Sequence, residues 1–367
     1  MASTPHTIFL QNRTTRAGAQ TSLSRLVTSP SITPYRPVGI FSSTGWLSNQ
    51  FEQHKLPLLI HPWPSPRSIK ARLGGLKNAA KQILSELHKQ NITPQVIVAN
   101  DHQECLLALE LGKLSKAPVI AILRSSGMNQ KDFVKYCVGE CDRIFAVGNS
   151  LQAKVSKWIN QTASLYLEGF NEEEFDNNHP PLSTSFPHHI LLAGTSSPAK
   201  GFPDFLKALA EVEQTRADFP SLHCTFTCEM PSDPEFMELL SNPFRSKLNF
   251  QGRVDGLSTV STNFDFAIHP SRRETFGMAP LELMLSGIPT LCSDTGILGS
   301  LGLPDEWLFP IEDPSSLAQR LIHWFDNWPS LASHLAEVQT AIRHQFHINN
   351  TSKSFVKALE ELSIQRS

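Results

Sequence analysis

The sequence has little net charge, no long apolar run and few cysteines, and each shortage excludes a class of protein. Its 367 residues carry 32 Lys and Arg against 34 Asp and Glu, for a net charge of −2, so no global field attracts nucleic acid. No apolar stretch approaches the ~20 residues that a membrane-spanning helix needs. The first residues also lack the basic start and apolar run of a signal peptide. We therefore expect a cytoplasmic chain.

The six cysteines do not form a metal site or a disulfide framework. Cys137 with Cys141, and Cys224 with Cys228, have three residues between them, which is not zinc-finger spacing. We interpret the cysteines as buried free thiols of a protein from a reducing compartment. Two Asp residues never stand in a D-x-D arrangement, so we expect no metal ion, and no other cofactor is predicted.

The length and the pattern of apolar residues favour two α/β domains. A chain of 367 residues is long for one core and comfortable for two domains. Short apolar strands alternate with amphipathic helices in both halves, which is typical of parallel α/β folds. Residues 176–189 are rich in Pro, Ser, Asn and His and have no periodicity, so we predict a linker there.

One stretch carries the most specific pattern, FDFAIHPSRRETFGMAPLELMLSGIPTLCSDTG from Phe264 to Gly296. Its apolar strand enters a loop that closes at Gly277, and Pro280 is expected to open a short helix at its first position. Gly287 and Pro289 then end that helix. Loops at the carboxyl ends of parallel strands hold ligands, and backbone N–H groups at a helix start bind phosphate or hydroxyl oxygens. The stretch therefore predicts a binding site.

Two carboxylates bracket the start of this helix. Glu274 precedes it and Glu282 is expected in its first turn, with seven residues between them. Taken singly, Glu274 can be a solvated loop acid and Glu282 an acid that complements the helix dipole. Taken together, E-T-F-G-M-A-P-L-E, S-G-I-P-T and D-T-G resemble the E-x7-E signature of GT-B glycosyltransferases, specifically the retaining group called glycosyltransferase family 4.

The resemblance spans nearly the whole chain, although only the block from Glu274 to Gly296 is specific. It implies two Rossmann-like α/β domains that face each other across a cleft, with the donor bound mostly by the second domain. We place the N-terminal domain at 1–172, the linker at 173–189 and the second domain at 190–350. A C-terminal helix, 351–367, is expected to cross back to the N-terminal domain.

The resemblance also implies a donor site for a nucleotide diphosphate sugar. Glu274 would hydrogen-bond the sugar hydroxyls, and Glu282 would take the ribose hydroxyls. The backbone N–H groups of Phe276, Gly277 and Met278 would assist Glu274 in binding the sugar.

A second segment resembles the G-R-x4-K-G pattern, in which Arg and Lys neutralise the donor pyrophosphate. Lys200 is present, but Thr195 stands at the Arg position, and losing a charged hydrogen bond costs about 1.5–3 kcal/mol. We predict that Arg272 or Arg273 supplies the missing charge. The same resemblance implies that the nucleobase lies against Arg253 and Val254.

Polar residues follow two neighbouring strands of the N-terminal half. Asp101 and His102 come after the strand 95–99, and Arg124 comes after the strand 119–123, so all three are expected at the edge where an acceptor binds. His102 could orient or deprotonate an acceptor hydroxyl, and Arg124 could hold a phosphate or carboxylate. His102 could equally be an ordinary loop hydrogen-bonder. The resembling family commonly has His at Arg124 and Asn at Glu168.

Two further N-terminal segments have alternative interpretations. The first loop keeps only Gly18 where the resembling family often has Gly-Gly-Ala near donor and acceptor, so it could also be an ordinary turn. A helix expected at 68–90 carries a basic side, formed by Arg67, Lys70, Arg72, Lys77 and Lys81. That side could make peripheral contact with the inner face of a membrane or be the solvated face of a Rossmann helix.

The predicted function is retaining transfer of a hexose-type sugar to a hydroxyl of a glycan, glycolipid or other acceptor. UDP is the favoured nucleotide and GDP the next. Two alternatives stay open. Thr195 and the lone Gly18 favour a non-catalytic subunit that binds a sugar nucleotide or a partner transferase. A nucleotide-sugar epimerase would share the architecture and release nucleotide without an acceptor, whereas a phosphorylase would need a much longer chain.

Overall fold

The computed structural model describes residues 4–65, 68–69, 74–160, 162–175, 180–254 and 256–364. Its chain divides into two compact units, each with its own sheet. Unit 1 comprises Met1–Asn171 and Phe346–Ser367, and unit 2 comprises Glu172–Gln345. In the part of the chain so described, no helix combines the length and apolar character that crossing a membrane requires.

Unit 1 is built on a seven-stranded parallel sheet. Its central strands are mostly buried apolar runs, as expected when helices cover both faces of a parallel sheet, and its two edge strands are partly buried. They are β1 (Thr4–Gln11), β2 (Pro37–Phe41), β3 (Leu58–Ile60), β4 (Ile92–Ala99), β5 (Val119–Leu123), β6 (Arg143–Val147) and β7 (Ser164–Tyr166). The spatial order is β3-β2-β1-β4-β5-β6-β7, so the strand order reverses between β1 and β4.

The helices of unit 1 lie between its strands in sequence. They are α1 (Gly18–Thr28), α2 (Trp46–Gln53), α3 (Leu76–Lys89), α4 (Cys105–Ser115), α5 (Gln130–Lys135) and α6 (Asn149–Ile159). The sequence predicted one helix over 68–90; α3 accounts for it from Leu76 onward, and residues 70–73 lie outside the described residues. Its apolar face packs into the core through residues such as Ile83 and Leu87. Three residues of the predicted basic face, Arg67, Lys70 and Arg72, lie outside the described residues.

Unit 2 is built on a six-stranded parallel sheet. Its strands are β8 (His189–Leu192), β9 (His223–Phe226), β10 (Lys247–Phe250), β11 (Phe266–His269), β12 (Thr290–Ser293) and β13 (Leu308–Phe309). The spatial order is β10-β9-β8-β11-β12-β13, the doubly wound order of a dinucleotide-binding fold. Its helices are α7 (Phe202–Thr215), α8 (Pro234–Leu240), α9 (Met278–Leu285), α10 (Pro314–Ser333) and α11 (Leu335–Phe346). The predicted pair of Rossmann-like α/β domains is therefore confirmed.

The start of α9 differs from the prediction. The helix begins at Met278 rather than Pro280, and Gly277, with a φ of 109°, forms its N-cap. Pro280 is accepted as the third residue because the first N–H groups of a helix have no intrahelical acceptor. As a result Glu282 lies in the second turn of α9, not in the first, and the first turn contains no acidic residue.

The last helix, α12 (Ile348–Ile364), completes the core of unit 1. Phe355 is fully buried, and its ring centroid lies 6.0 Å from that of Phe9 and 6.1 Å from that of Phe145. The hydroxyl of Thr351 donates to the carbonyl of Leu167 at 2.9 Å. The core of unit 1 is therefore made from both ends of the chain.

Replacing Phe355 with Ala tests this contribution. We expect the free energy of unfolding of unit 1 to fall by about 3–5 kcal/mol, the cost of removing a buried aromatic ring. Lys357→Ala, at an exposed position of the same helix, should change it by less than about 0.5 kcal/mol. Chemical denaturation of both variants makes the comparison, and equal midpoints for Phe355→Ala and wild type would contradict it.

Candidate functional site

Two loops of unit 2 meet where its strand order reverses. One follows β8 and the other follows β11, and these neighbouring strands are hydrogen-bonded in parallel. The N–H of Arg272 donates to the carbonyl of Ala199 at 2.9 Å, and a Cβ on Gly201 would stand 1.8 Å from the carbonyl oxygen of Pro270. The crevice outside the carboxyl ends of the two strands at such a reversal is where ligands bind in doubly wound sheets.

Lys200 and Glu274 face each other across this crevice. The Nζ of Lys200 lies 2.5 Å from Oε1 of Glu274, and Nε2 of His269 lies 3.0 Å from the same oxygen. The Glu274 side chain is 14% exposed and that of His269 only 1%. The structure thus brings together two residues that the sequence predicted, and adds His269, which the sequence analysis did not select. The only sign of His269 in the sequence is its place as the polar last residue of a buried apolar strand.

Glu274 is an ionised carboxylate in this setting. Burial acts to raise the pKa of Glu274, but the hydrogen bond and charge of His269, with those of Lys200, outweigh burial and lower it to about 2. Both contacts involve Oε1. The group is therefore a permanent acceptor of hydrogen bonds at any ordinary pH.

The start of α9 lies directly after Glu274. Gly277 and Met278 open the helix, and no side chain caps its N-terminus. The first N–H groups of such a helix point away from it with a partial positive charge. The D-T-G segment and the residue after it hold this loop in place. Thr295 Oγ1 accepts a hydrogen bond from the N–H of Glu274 at 3.2 Å, and the N–H of Ile297 donates to the carbonyl of Phe276 at 2.8 Å.

The two arginines before Glu274 have different environments. The guanidinium of Arg272 donates to both oxygens of Asp204, at 2.7 and 2.6 Å, and lies 3.4 Å from Glu235. The prediction that Arg272 supplies the missing charge is therefore corrected, since its guanidinium is bound to two carboxylates of the protein, Asp204 and Glu235. Arg273 is exposed, and its guanidinium has no partner among the described residues.

The remaining predicted donor residues are at the same edge of the sheet. Thr195 is exposed in the loop after β8, and Arg253 is exposed after β10. Val254 is half-buried beside it. Across the described ranges, no three His, Cys, Asp or Glu side chains are grouped in a way that could hold a metal ion.

Asp101 and His102 follow β4 in unit 1 and form a hydrogen-bonded pair. Asp101 Oδ1 lies 3.0 Å from Nδ1 of His102 and accepts the N–H of Arg124 at 3.2 Å, while Oδ2 accepts the hydroxyl of Ser125 at 2.6 Å. Burial acts to raise the pKa of Asp101, but these bonds and the charge of His102 lower it. Gly18, the first residue of α1, is exposed, and no side chain caps that helix either.

Arg124 does hold a carboxylate, but that carboxylate belongs to the protein. Its side chain is 5% exposed and forms an ion pair with the buried Glu168. It also donates to Ser22 at 2.9 Å and to Asn100 at 3.0 Å, and its guanidinium carbon stands 5.2 Å from the ring centroid of Tyr166. The prediction that Arg124 binds an acceptor phosphate or carboxylate is corrected, because its guanidinium is buried and paired with Glu168.

Glu104 is a second titratable group that the sequence analysis did not select. It is 3% exposed, its Oε1 accepts the N–H of Asn12 at 3.0 Å, and its Oε2 is buried without a partner among the described residues. Burial, with the nearby charge of Asp101, raises the pKa of Glu104 to about 8. Glu104 is therefore a neutral acid at physiological pH.

Comparison with known proteins gives the fold a name. Solved structures of Anabaena HepE in complex with UDP-glucose superpose with a TM-score of 0.77, covering 97% of this chain and 99% of that one at 16% identity. Sucrose-phosphate synthase from Thermosynechococcus elongatus superposes with a TM-score of 0.71, covering 99% of this chain and 100% of that one at 14% identity. The chain has the GT-B fold.

Sequence matches agree with this fold. Residues 187–327, which lie within unit 2, match the family model of glycosyl transferases group 1. An uncharacterized glycosyltransferase of Methanocaldococcus jannaschii is 22% identical over 276 residues, 71% of this chain and 73% of that protein. The family match includes Lys200, Glu274 and Glu282, and therefore the crevice described above.

The neutral state of Glu104 predicts an unusual pH dependence of stability. Below pH ~4.5 both folded and unfolded chains are protonated at this position. Between about 4.5 and 8 only the unfolded chain ionises, so stability falls by up to about 1.4 kcal/mol per pH unit and levels off above 8. Glu104→Gln removes this loss, and we expect it to match wild type at pH 4.5 and to melt several degrees higher at pH 8.

Thermal melts across this pH range, with Glu110→Gln on the same helix as the control, make the measurement. The Glu110 side chain is 28% exposed, so its substitution should leave the wild-type pH dependence intact. Melting curves of Glu104→Gln and wild type that stay parallel from pH 4.5 to 8 would show that Glu104 ionises normally in the folded chain.

Proposed function

We propose that the protein is a retaining glycosyltransferase that moves a hexose from a UDP-sugar to a hydroxyl of a glycan, glycolipid or related acceptor. The observation that carries the proposal is the Lys200–Glu274 pair at the point where the strand order of unit 2 reverses. It lies within the residues that match glycosyl transferases group 1. A cation and an anionic acceptor of hydrogen bonds, side by side, suit a ligand with a diphosphate at one end and sugar hydroxyls at the other.

Each donor residue has a role that follows from its chemistry. Lys200 and the N-terminus of α9 carry positive charge for the diphosphate. Glu274 accepts hydrogen bonds from the sugar hydroxyls, with the N–H groups of residues 276–278 beside it. Glu282 takes the ribose hydroxyls, and the nucleobase lies against residues 253–254. UDP is favoured because the similar structure of HepE was solved with UDP and with UDP-glucose.

Catalysis then depends on stabilising the departing diphosphate. A fixed cation and a helix N-terminus stabilise the charge that develops on the leaving oxygen, without reorganising at the moment of reaction. In the retaining, front-face route, the leaving phosphate itself accepts the proton of the acceptor hydroxyl while the glycosidic bond forms on the same face. We propose that no metal ion is needed for this step.

Unit 1 is proposed to hold the acceptor. Asp101, His102 and Gly18 are at the carboxyl edge of its sheet, where ligands bind in α/β folds. A lipid-linked acceptor would suit peripheral contact of the basic segment 68–90 with an anionic membrane. The rival function, a binding subunit without catalysis, is favoured by Thr195, an exposed hydroxyl where a cation is expected.

Nucleotide release from a panel of UDP-, GDP- and ADP-sugars tests the proposal. The acceptors are glucose, glucose 6-phosphate, octyl glucoside and a mixed glycolipid extract, and EDTA is present throughout. We expect release from a UDP-sugar that rises with an acceptor and falls 10²-fold or more in Glu274→Gln, the scale of losing a transition-state hydrogen bond. If a sugar nucleotide raises the melting temperature and none is turned over, the protein is a binding subunit.

Arg273 and Arg272 form a matched pair for locating the second cation. We expect Arg273→Ala to raise the KM for the UDP-sugar about 10-fold to 100-fold, the equivalent of a charged hydrogen bond, with an unchanged melting temperature. Arg272→Ala should instead lower the melting temperature, because it leaves Asp204 without its partner. Donor kinetics and thermal melts of both variants measure this, and an unchanged donor KM in Arg273→Ala would mean that the site works with Lys200 as its sole side-chain cation.

A further inference from the structure

Asp101 is fixed at four points between the ends of β4 and β5. Its Oδ1 accepts the backbone N–H of His102 at 2.8 Å and that of Arg124 at 3.2 Å, and stands 3.0 Å from Nδ1 of the His102 ring. Its Oδ2 accepts the hydroxyl of Ser125 at 2.6 Å. Since three of these donors are backbone or ring nitrogens of two neighbouring strand ends, the carboxylate cannot turn without breaking several bonds at once.

The imidazole of His102 is fixed in turn. The residue is 6% exposed, and its ring stands edge-on to Tyr136 with the centroids 5.0 Å apart. Nδ1 faces Asp101, which can only accept, so the neutral ring carries its proton on Nδ1. Nε2 then has the free lone pair. It has no partner among the described residues and is not one of their fully buried unpaired side-chain atoms.

The charges around His102 come from three elements. Burial acts to lower the pKa of His102, but the hydrogen bond and charge of Asp101 outweigh it, and with the charge of Asp132 they raise it. Glu104, also nearby, is a neutral acid at physiological pH and adds a negative charge only where it ionises. Asp132 lies on α5, and Tyr136 follows the same helix. Arg124, after β5, would oppose the effect, but its guanidinium is paired with Glu168.

We propose that Asp101 and His102 form an acceptor-binding pair in which Nε2 of His102 accepts a hydrogen bond from a hydroxyl of the acceptor. Asp101 is the positioning residue, since it touches the ring and not the ligand. The inference rests on the proposed glycosyltransferase function and names the part of unit 1 that reads the acceptor. The hydroxyl concerned orients the acceptor and need not be the one that is glycosylated.

The pair gives the acceptor site its own pH dependence. A protonated imidazole has no lone pair, so Nε2 becomes a donor and loses this contact. The KM for the acceptor should therefore rise as the pH falls through a value above the ordinary 6.5 of histidine. The KM for the UDP-sugar, which unit 2 binds next to an ionised Glu274, should not follow this change.

Four variants separate the parts of this inference, with the panel acceptor that gives the fastest UDP release as the probe. His102→Ala removes the ligand contact and Asp101→Ala removes the anchor, so we expect each to raise the acceptor KM at pH 8 about tenfold. Asp101→Asn keeps an acceptor for Nδ1 but removes the charge. It should keep an acceptor KM close to wild type at pH 8 and shift the pH midpoint downwards. Asp132→Asn, the matched control, removes a charge that does not touch the ring and should shift the midpoint less.

The outcomes are distinct. An acceptor KM of His102→Ala equal to that of wild type would overturn the inference, and so would a donor KM that rises in parallel. A similar loss at pH 8 in Asp132→Asn would also overturn it, because a field effect would then replace positioning. If Asp101→Ala does not fold, His102→Ala and the pH profile of Asp101→Asn decide. No transfer by wild type from any sugar nucleotide would instead overturn the proposed function, and this inference with it.

Discussion

The permanent negative charge of Glu274 is the feature on which the crevice of unit 2 depends. A carboxylate this buried would normally take up a proton, yet two nitrogens on one of its oxygens hold its pKa at about 2. The same contacts join the loop after β8 to the loop after β11. The contacts that keep Glu274 ionised are therefore the same contacts that hold the two loops together. A substitution of His269 or Lys200 would change both the charge of Glu274 and the position of its loop.

The buried pair of Arg124 and Glu168 explains two departures from the pattern of the resembling family. Each residue looked like an isolated substitution in the sequence, at positions where that family commonly has His and Asn. In the fold they are partners, with less than a tenth of either side chain exposed. Removing one member of a buried ion pair leaves an uncompensated charge and costs about 3–5 kcal/mol. The two positions are therefore coupled, and neither charge is available to a ligand at this edge of the sheet.

Much of this architecture could be predicted, because it depends on local patterns. Alternating apolar runs predicted the two parallel sheets, and loops that end in Gly and Pro placed Glu274 beside a helix start. The start itself was wrong by two residues, since Gly277 rather than Pro280 sets it. The roles of residues that depend on neighbours distant in sequence could not be predicted. His269 matters only because Glu274 folds back onto it, Arg124 turns inward only because Glu168 is there, and the neutral acid of Glu104 is a product of burial, which no spacing in the sequence encodes.

The chain leaves unit 1 and returns to it at adjoining points. Phe170 forms a parallel bridge with His347, through a bond from its N–H to Phe346 and another from Ile348 to its carbonyl, each 2.8 Å long. Unit 2 is thus an insertion whose two ends are tied side by side. During synthesis the core of unit 1 stays incomplete until α12 has been made, because Phe355 fills the space beside Phe9 and Phe145. All six strands of unit 2 precede α12 in the chain, so the second sheet is complete in sequence before the core of the first unit is.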